Sequence, residues 1–196
     1  MPSASIEKTA RISKPKVVLV LTLWLAVLVL SSWYFFVRPQ QWFDTSLQNP
    51  APLSQPDIQR QALEALNFSV STQPSSTQPF TTLSRPLLVR LRQPDCNCER
   101  YVDAYYAELH QRLAGKVDLL TLNPADDSRW RHWLPASPAA LVFAADGSLA
   151  YAGPFHQDGL CNAANSYLEP ILAGLLRSEP PSVTVNTIAF GCFCAL

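Results

Sequence analysis

The sequence predicts a mixed α/β domain preceded by one transmembrane helix. Residues 17–37 form an uncharged, apolar run, which as a helix is long enough to span the roughly 30 Å hydrocarbon core of a bilayer. From residue 83 onward, β-prone runs alternate with helical patterns and end in two apolar runs around a turn. Strands joined by helices and followed by a hairpin indicate a mixed sheet with helices on both faces.

The apolar run is expected to be an uncleaved anchor rather than a cleaved signal peptide. A signal-peptide core has roughly 7–15 apolar residues and ends in small ones, whereas this run is longer and ends in aromatic residues at 33–36, as membrane-interface segments do. Residues 1–16 are rich in lysine and arginine. Because basic flanks stay in the cytoplasm, we expect a single-pass protein of the bacterial inner membrane with a periplasmic C-terminal domain.

Residues 38–82 are expected to link the anchor to the folded domain, because prolines interrupt their first part. One short amphipathic helix is predicted over 55–67, where apolar residues recur at helical spacing. Residues 71–82 are polar and rich in proline, which is typical of a loop. The folded domain is therefore expected to span 83–177, and 178–196 to form a C-terminal extension.

The first half of the domain is predicted to be strand, helix, strand and helix. The β-prone run 86–92 is followed by 95–115, where apolar residues recur every three or four positions and Gly115 supplies a stop. A second strand is predicted over 116–123. A short helix is predicted over 124–134, because proline and acidic residues in its first turn favour a helix start.

The second half is predicted to be a hairpin and a last helix. Residues 139–153 place two apolar runs on either side of an Asp-Gly turn, which favours a hairpin. Residues 160–176 read as a helix that Pro170 kinks. Residues 183–190 alternate and are predicted to add an edge strand.

Composition argues against nucleic-acid binding. Beyond the anchor the chain has more acidic than basic residues, and Lys116 is its only lysine there. Nucleic acid is bound through a basic face, so no nucleic-acid partner is expected.

Five cysteines lie in the part expected to be exported: Cys96, Cys98, Cys161, Cys192 and Cys194. Thiols outside the cytoplasm are oxidised unless a dedicated reductant acts on them. The number is odd, so at least one cysteine is free, metal-bound or paired with another chain. Four of the five form two Cys-x-Cys pairs.

Three placements of residues resemble the thioredoxin superfamily. Cys96 and Cys98 follow the first core strand and open the first long helix, Pro138 stands immediately before the hairpin, and GSLAYAG leads into the last helix. The resemblance covers about residues 83–177 and implies a thioredoxin-like mixed sheet with Pro138 beside the redox cysteines. The family usually has Cys-x-x-Cys, so the pair here departs from it. The whole chain looks like a group of membrane-anchored thioredoxin-like proteins of Gram-negative bacteria, which offers no activity to transfer.

The first functional hypothesis is a periplasmic thiol–disulfide oxidoreductase that needs no cofactor. A helix start favours the Cys96 thiolate, so Cys96 is expected to be exposed and to exchange with protein thiols or disulfides. Cys98 would resolve the mixed disulfide, since a strained i,i+2 disulfide is labile. The resemblance implies that Pro138 shapes the partner groove. Cys161 and the C-terminal pair would accept or supply electrons.

The position of the other cysteines stays open at this point. The loop before the last helix is expected to bring His156 and Cys161 towards Cys96, with Cys161 either activated at a helix start or buried as a small apolar residue. For His156 an exposed loop position is expected. Cys192 and Cys194 are expected near the first pair, either as a disulfide relay or as a staple to Cys161 or Cys98.

Two alternatives remain. Cys96, Cys98, Cys161 and His156 are soft ligands suited to copper or zinc, so the protein could deliver metal. Alternatively, the domain is a non-catalytic scaffold with structural disulfides, because a fold does not fix a function.

Overall fold

The structure is a computed structural model that describes residues 14–37, 40–44, 52–71, 83–157 and 161–196. The chain divides into two compact units, Met1–Arg38 and Pro39–Leu196. The predictions for the basic residues 1–13 and for the polar segment 72–82 lie outside the described residues.

The described residues of the first unit, 14–37, form one apolar helix. Helix α1 (Lys14–Ser32) continues into a π-helical turn at Trp33–Val37. The segment Lys14–Phe35 has 22 residues and a mean hydropathy of 2.2. It is therefore long and apolar enough to cross a membrane, as the sequence predicts.

Helices and strands alternate along the second unit. Its described helices are α2 (Pro56–Ser71), α3 (Glu99–Arg112), α4 (Arg129–Trp133) and α5 (Leu168–Leu176), with 3-10 turns at Pro52–Ser54 and Ala163–Asn165. Its described strands are β1 (Gln40–Trp42), β2 (Leu87–Leu91), β3 (Asp118–Leu122), β4 (Ala136–Ser137), β5 (Ala139–Phe143), β6 (Leu149–Pro154), β7 (Thr184–Val185), β8 (Phe190–Cys192) and β9 (Cys194–Ala195).

Five of these strands form a mixed sheet in the order β3-β2-β5-β6-β7. β2 is parallel to β3 and antiparallel to β5. β6 is antiparallel to β5 and parallel to β7. The predicted mixed sheet flanked by helices is thereby confirmed.

The sheet has an apolar core on each face, because successive side chains of a strand point to opposite sides. Leu87, Val89 and Leu91 of β2 belong to the cluster that packs beneath α2 and α4. Leu88 belongs to the cluster beneath α3 and α5. Arg90 has the same parity as Leu88 and is also buried, so this charge must find its partners on the α3 side.

The hairpin matches its prediction, and the helix predicted over 55–67 is present as α2, which extends to Ser71. β5 and β6 pair around a turn in which Gly147 has φ 83°, a conformation that glycine adopts without steric cost. In α2 the buried residues Ala62, Ala65 and Leu66 share one face.

The helix predicted over 124–134 is shorter than expected. The Asn123 side chain accepts a hydrogen bond from the Ala125 N–H at 3.1 Å, and Asp127 accepts one from the Arg129 N–H at 2.9 Å. Such local bonds compete with helix formation. Helix α4 therefore begins only at Arg129.

The helix predicted over 160–176 is also wrong in its first part. Asn162 caps a 3-10 turn, and the backbone is extended at Ser166, with ψ 132°. Helix α5 begins after this break, at Leu168, which places Pro170 in its first turn. A first-turn proline needs no backbone donor, so the prediction that Pro170 kinks the helix near its middle is wrong.

The C-terminal segment pairs with three separate parts of the domain. An edge strand was expected over 183–190, and only β7 joins the sheet there. β8 pairs with β1, and β9 pairs with β4, both antiparallel. The C-terminal segment thus lies across the domain and ends beside the strand that precedes Pro138.

Candidate disulfide-exchange site

The first cysteine pair lies in a tight turn between β2 and α3. The Cys96 N–H donates to the Gln93 carbonyl at 3.1 Å, and the Glu99 N–H donates to the Cys96 carbonyl at 3.1 Å. Cys98 is the N-cap of α3. The sequence places Cys96 inside a helix that begins near residue 95, whereas the structure places it two residues before the cap.

The C-terminal pair is bonded to this turn. One disulfide joins Cys96 to Cys194, with the Cα atoms 5.9 Å apart. A second disulfide joins Cys98 to Cys192, with the Cα atoms 5.3 Å apart. Cys96 and Cys98 are therefore bonded to the tail and not to each other, and of the predicted staples the one to Cys98 is present.

The sulfur atoms are concentrated in a small volume. The Sγ atoms of Cys96, Cys98 and Cys194 all lie within 4.8 Å of one another, and the Cys192 Sγ is bonded to that of Cys98. We call these four residues the sulfur cluster. Its atoms are close enough for exchange of disulfide partners after small movements.

Three of the four cysteines are buried. Cys96, Cys98 and Cys192 are 4–6 % exposed, and Cys194 is half-buried. The expectation that Cys96 is exposed at the rim is wrong, because the tail covers the turn. Cys194 is the member of the sulfur cluster that solvent reaches most easily.

A network of buried charged side chains holds the cysteine turn in place. Arg90 Nη2 lies 2.7 Å from Glu99 Oε2 and 2.7 Å from Asp103 Oδ1. The Gln93 N–H donates to the second Glu99 oxygen at 3.0 Å, and the Ser137 hydroxyl also donates to that oxygen. Glu99 thereby ties β2, the cysteine turn and β4 together.

The Ser137–Pro138 segment lies against the first cysteine. The peptide bond between them is cis, and the Ser137 carbonyl oxygen is 3.7 Å from Cys96 Sγ. Ser137 is the Cα partner of Cys194 in the β4–β9 pair. Pro138 is thus next to the residue that touches both ends of the Cys96–Cys194 disulfide.

Cys161 and His156 are not part of the sulfur cluster. Cys161 is the free cysteine and packs against the core beneath α3 and α5. Burial raises the pKa of its thiol to about 12, against a smaller lowering by the Arg90 charge. Its thiolate is therefore disfavoured, so of the two alternatives for Cys161 the structure agrees with the buried apolar residue and not with the activated thiol.

His156 is buried rather than exposed as the sequence suggests. It is 1 % exposed, bridges to Ser166 through the backbone, and its ring lies 6.4 Å from that of Phe193. The structure thus places His156 behind the tail, where it packs near Phe193.

Several residues of the site were missed by the sequence analysis. Arg90, Glu99, Ser137 and Phe193 hold the turn and the tail in place, yet the sequence assigned none of them a role. A signal existed for Arg90, because a charge within the apolar run LLVRL requires a buried partner. The other three carry no such signal.

The fold and the paired disulfides define a class of protein: a mixed α/β domain whose C-terminal segment is cross-linked to a helix start through two Cys-x-Cys pairs. Residues 66–196, about two thirds of the chain, match the family described as a domain of unknown function, DUF6436, and the chain belongs to this family. The matched range includes all five cysteines and excludes α1. No curated protein matches the chain.

Proposed function

We propose that the protein is a membrane-anchored, thioredoxin-like thiol–disulfide exchange protein of the bacterial inner membrane, with its domain in the periplasm. The observation that carries the proposal is the sulfur cluster, in which three sulfurs of two disulfides lie within 4.8 Å of one another. Exchange requires a thiolate to reach a disulfide sulfur, and the cluster supplies adjacent sulfurs for successive exchanges.

The proposed reaction begins at Cys194, the most exposed residue of the sulfur cluster. A thiolate of a partner dithiol attacks Cys194 Sγ, the Cys96–Cys194 bond breaks, and Cys96 leaves as a thiolate. The second partner thiol then attacks the partner sulfur in this mixed disulfide, which releases Cys194 as a thiol. The partner has become a disulfide and the protein has gained two electrons. The Cys194 thiolate can then attack Cys98 Sγ, which lies within 4.8 Å, and Cys192 leaves as a thiolate. A second partner dithiol reduces the resulting Cys98–Cys194 bond by the same steps, so the protein gains two more electrons.

The thioredoxin-like interpretation rests on the placement of the turn. The cysteine turn follows the interior strand β2 and precedes α3. Pro138 lies directly before β5 and follows Ser137, whose carbonyl oxygen is 3.7 Å from Cys96 Sγ. The membrane interpretation rests on α1, whose length and hydropathy suit a bilayer span.

The scaffold alternative explains the second disulfide less well. The Cys96–Cys194 bond closes 98 residues and in the chain-entropy model would stabilise the fold by about 4.7 kcal/mol. Once it has formed, the Cys98–Cys192 bond closes only the short ring between the two pairs, which in the same model adds about 2 kcal/mol. A fold that needed only a staple would gain most of the stability from one bond.

A redox titration tests the proposal. The full chain in mild detergent is equilibrated with dithiol/disulfide buffers of graded potential, alkylated, and its modified cysteines are counted by mass spectrometry. Exchange predicts that the four cysteines of the sulfur cluster become thiols reversibly, with midpoint reduction potentials above about −300 mV. Structural disulfides typically have reduction potentials below that value. Cys161→Ala is the matched control and should leave the titration unchanged. Disulfides that open only after unfolding would support the scaffold instead.

A metal-binding role of the reduced protein is the second candidate. Zinc–thiolate bonds are about 2.3 Å long, so sulfurs within 4.8 Å of one another can share one ion after small shifts. The ligands would be members of the sulfur cluster rather than Cys161 and His156. The test is titration of the reduced chain with Zn²⁺ or Cu⁺, where binding of one ion that is lost in Cys194→Ser but kept in Cys161→Ser supports this role.

A further inference from the structure

We propose that the C-terminal segment occupies a binding site for an extended, cysteine-containing segment of a partner protein, and that an aromatic residue directly before that cysteine is recognised. This inference rests on the proposed exchange function and names its substrate class. The tail would then act as an intramolecular competitor, which a partner segment can displace once the two disulfides are reduced.

The tail is held as an added strand and not only by its sulfurs. Cys194 and Ala195 are the antiparallel partners of Ser137 and Ala136, and the Leu196 N–H donates to the Pro135 carbonyl at 3.1 Å. These backbone contacts do not depend on side-chain identity. Any extended segment could form them, as in other cases where a peptide adds a strand to an exposed edge.

The side chain before Cys194 fills an apolar pocket. Phe193 is 3 % exposed and packs edge-to-face on Phe43, with ring centroids 5.1 Å apart. Its carbonyl accepts a hydrogen bond from Gln41 Nε2. By contrast, Phe190 on the same segment is 46 % exposed. The pocket therefore discriminates at one position, directly before the cysteine.

One extended segment makes three contacts at this site. Its backbone pairs with Ala136–Ser137, its cysteine reaches Cys96, and its aromatic ring packs beside Phe43. In the reduced protein, the Cys96 thiolate would attack a disulfide in a partner segment lying in this site. That partner's other sulfur leaves as a thiolate. Cys194 then attacks Cys96 Sγ as the tail returns, which expels the partner cysteine as a thiol and restores the Cys96–Cys194 bond. The protein loses two electrons and the partner gains them.

The test uses peptides derived from the tail, each joined through its single cysteine to thionitrobenzoate. Peptide FGSFCAL keeps the residue before the cysteine, FGSSCAL removes it, and SGSFCAL changes the exposed position as a matched control. A fourth peptide carries an N-methyl group on its last residue and lacks the donor to Pro135. The protein is the full chain with every cysteine except Cys96 changed to serine, and release of thionitrobenzoate measures the attack by Cys96.

After correction for the reaction of each peptide with glutathione, FGSFCAL and SGSFCAL should react at least tenfold faster than FGSSCAL, because burial of an aromatic side chain contributes a factor of this size or more. They should also react several-fold faster than the N-methyl peptide, which lacks one backbone hydrogen bond. Adding Phe193→Ala to the same chain should accelerate FGSFCAL, since the competing tail then binds less well. If the chain with a single cysteine does not fold, wild-type protein reduced with a dithiol and then freed of it replaces it, and mass spectrometry locates the peptide adduct.

Three further outcomes separate the hypotheses. Equal rates for all four peptides, with thionitrobenzoate released, would overturn peptide recognition and leave exchange standing. No release from any peptide or from glutathione-thionitrobenzoate would overturn both. A disulfide-linked dimer as the main species of the oxidised full chain would assign the site to the tail of a second copy and would also overturn the proposal.

Discussion

Ser137 and Cys194 face each other across the antiparallel pair of β4 and β9, and both contact Cys96: Cys194 through the disulfide and Ser137 through its carbonyl oxygen, 3.7 Å from the sulfur. The tail is therefore held at one point by a covalent bond and a backbone pairing together. The second disulfide lies two residues away on each segment, at Cys98 in the turn and Cys192 in the tail, so the contributions of the two bonds to stability cannot be independent.

We expect the two disulfides to be strongly non-additive in stability. Removing either one, by Cys96→Ala with Cys194→Ala or by Cys98→Ala with Cys192→Ala, should lower the free energy of unfolding by about 2 kcal/mol, because the other still closes the long loop. Removing both should lower it by about 7 kcal/mol. Urea unfolding followed by the fluorescence of Trp130 and Trp133, which are buried, measures each value. Additive costs would contradict the nested-loop argument.

Glu99 should matter far more to stability than Asp103, although both contact Arg90 at 2.7 Å. The side chains of Arg90 and Glu99 are 4 % and 3 % exposed, whereas that of Asp103 is 47 % exposed. Glu99→Gln leaves a buried charge undercompensated and should cost about 3–5 kcal/mol. Asp103→Asn, the matched control, should cost less than about 1 kcal/mol, because solvent screens the exposed partner.

The urea midpoint and its m-value measure both substitutions, since an unchanged m-value shows that the shift is one of stability alone. Equal effects of Glu99→Gln and Asp103→Asn would show that the network does not depend on burial.

The sheet could be predicted from the sequence because its central strands and helices carry strong periodic patterns. The run LLVRL and the two apolar runs of the hairpin gave β2, β5 and β6, and the pattern of Val102, Tyr105 and Leu109 gave α3. Boundaries failed where polar side chains made local bonds, as Asn123 and Asp127 do before α4.

The site could be predicted only in part. The spacing of the cysteines and the position of Pro138 mark the turn and its neighbourhood. The tail's place could not be derived, because five cysteines allow many pairings and strands of two or three residues carry no pattern. Glu99 reads from sequence as an ordinary acid in a first helical turn, and only tertiary packing reveals that it is buried.

Cys161 should react slowly with alkylating reagents. Its alkylation rate should keep rising with pH above 9, where the rate of an ordinary thiol levels off. It is the free cysteine of the oxidised protein, and burial raises its thiol pKa from 9.0 to about 12. A raised pKa means less thiolate at any lower pH, so at pH 8 the thiolate is about a thousandfold rarer than for an unperturbed thiol.

Iodoacetamide labelling between pH 8 and pH 11, quantified by mass spectrometry, should therefore show a rate that increases about tenfold per pH unit. The same chain in strong urea supplies the control, because the unfolded thiol should react at an ordinary rate. A plateau in the folded protein near pH 9 would show that Cys161 is not shielded.

Phe193 should decide whether the tail stays docked after its disulfides are reduced. Its ring is buried against Phe43, and Phe→Ala changes at buried positions cost about 3–5 kcal/mol. In the reduced protein no covalent bond holds the tail, so Phe193→Ala should release it while the sheet stays folded.

Hydrogen exchange of residues 190–196 measures the release of the tail directly. Their amides should exchange much faster in the reduced variant than in the reduced wild type, with the amides of β2 and β5 equally protected in both. Phe190→Ala, on the same segment but 46 % exposed, should change tail exchange by less than about twofold, as expected for a surface side chain. Equal effects of the two substitutions would show that docking depends on the backbone pairing with Ala136 and Ser137 alone.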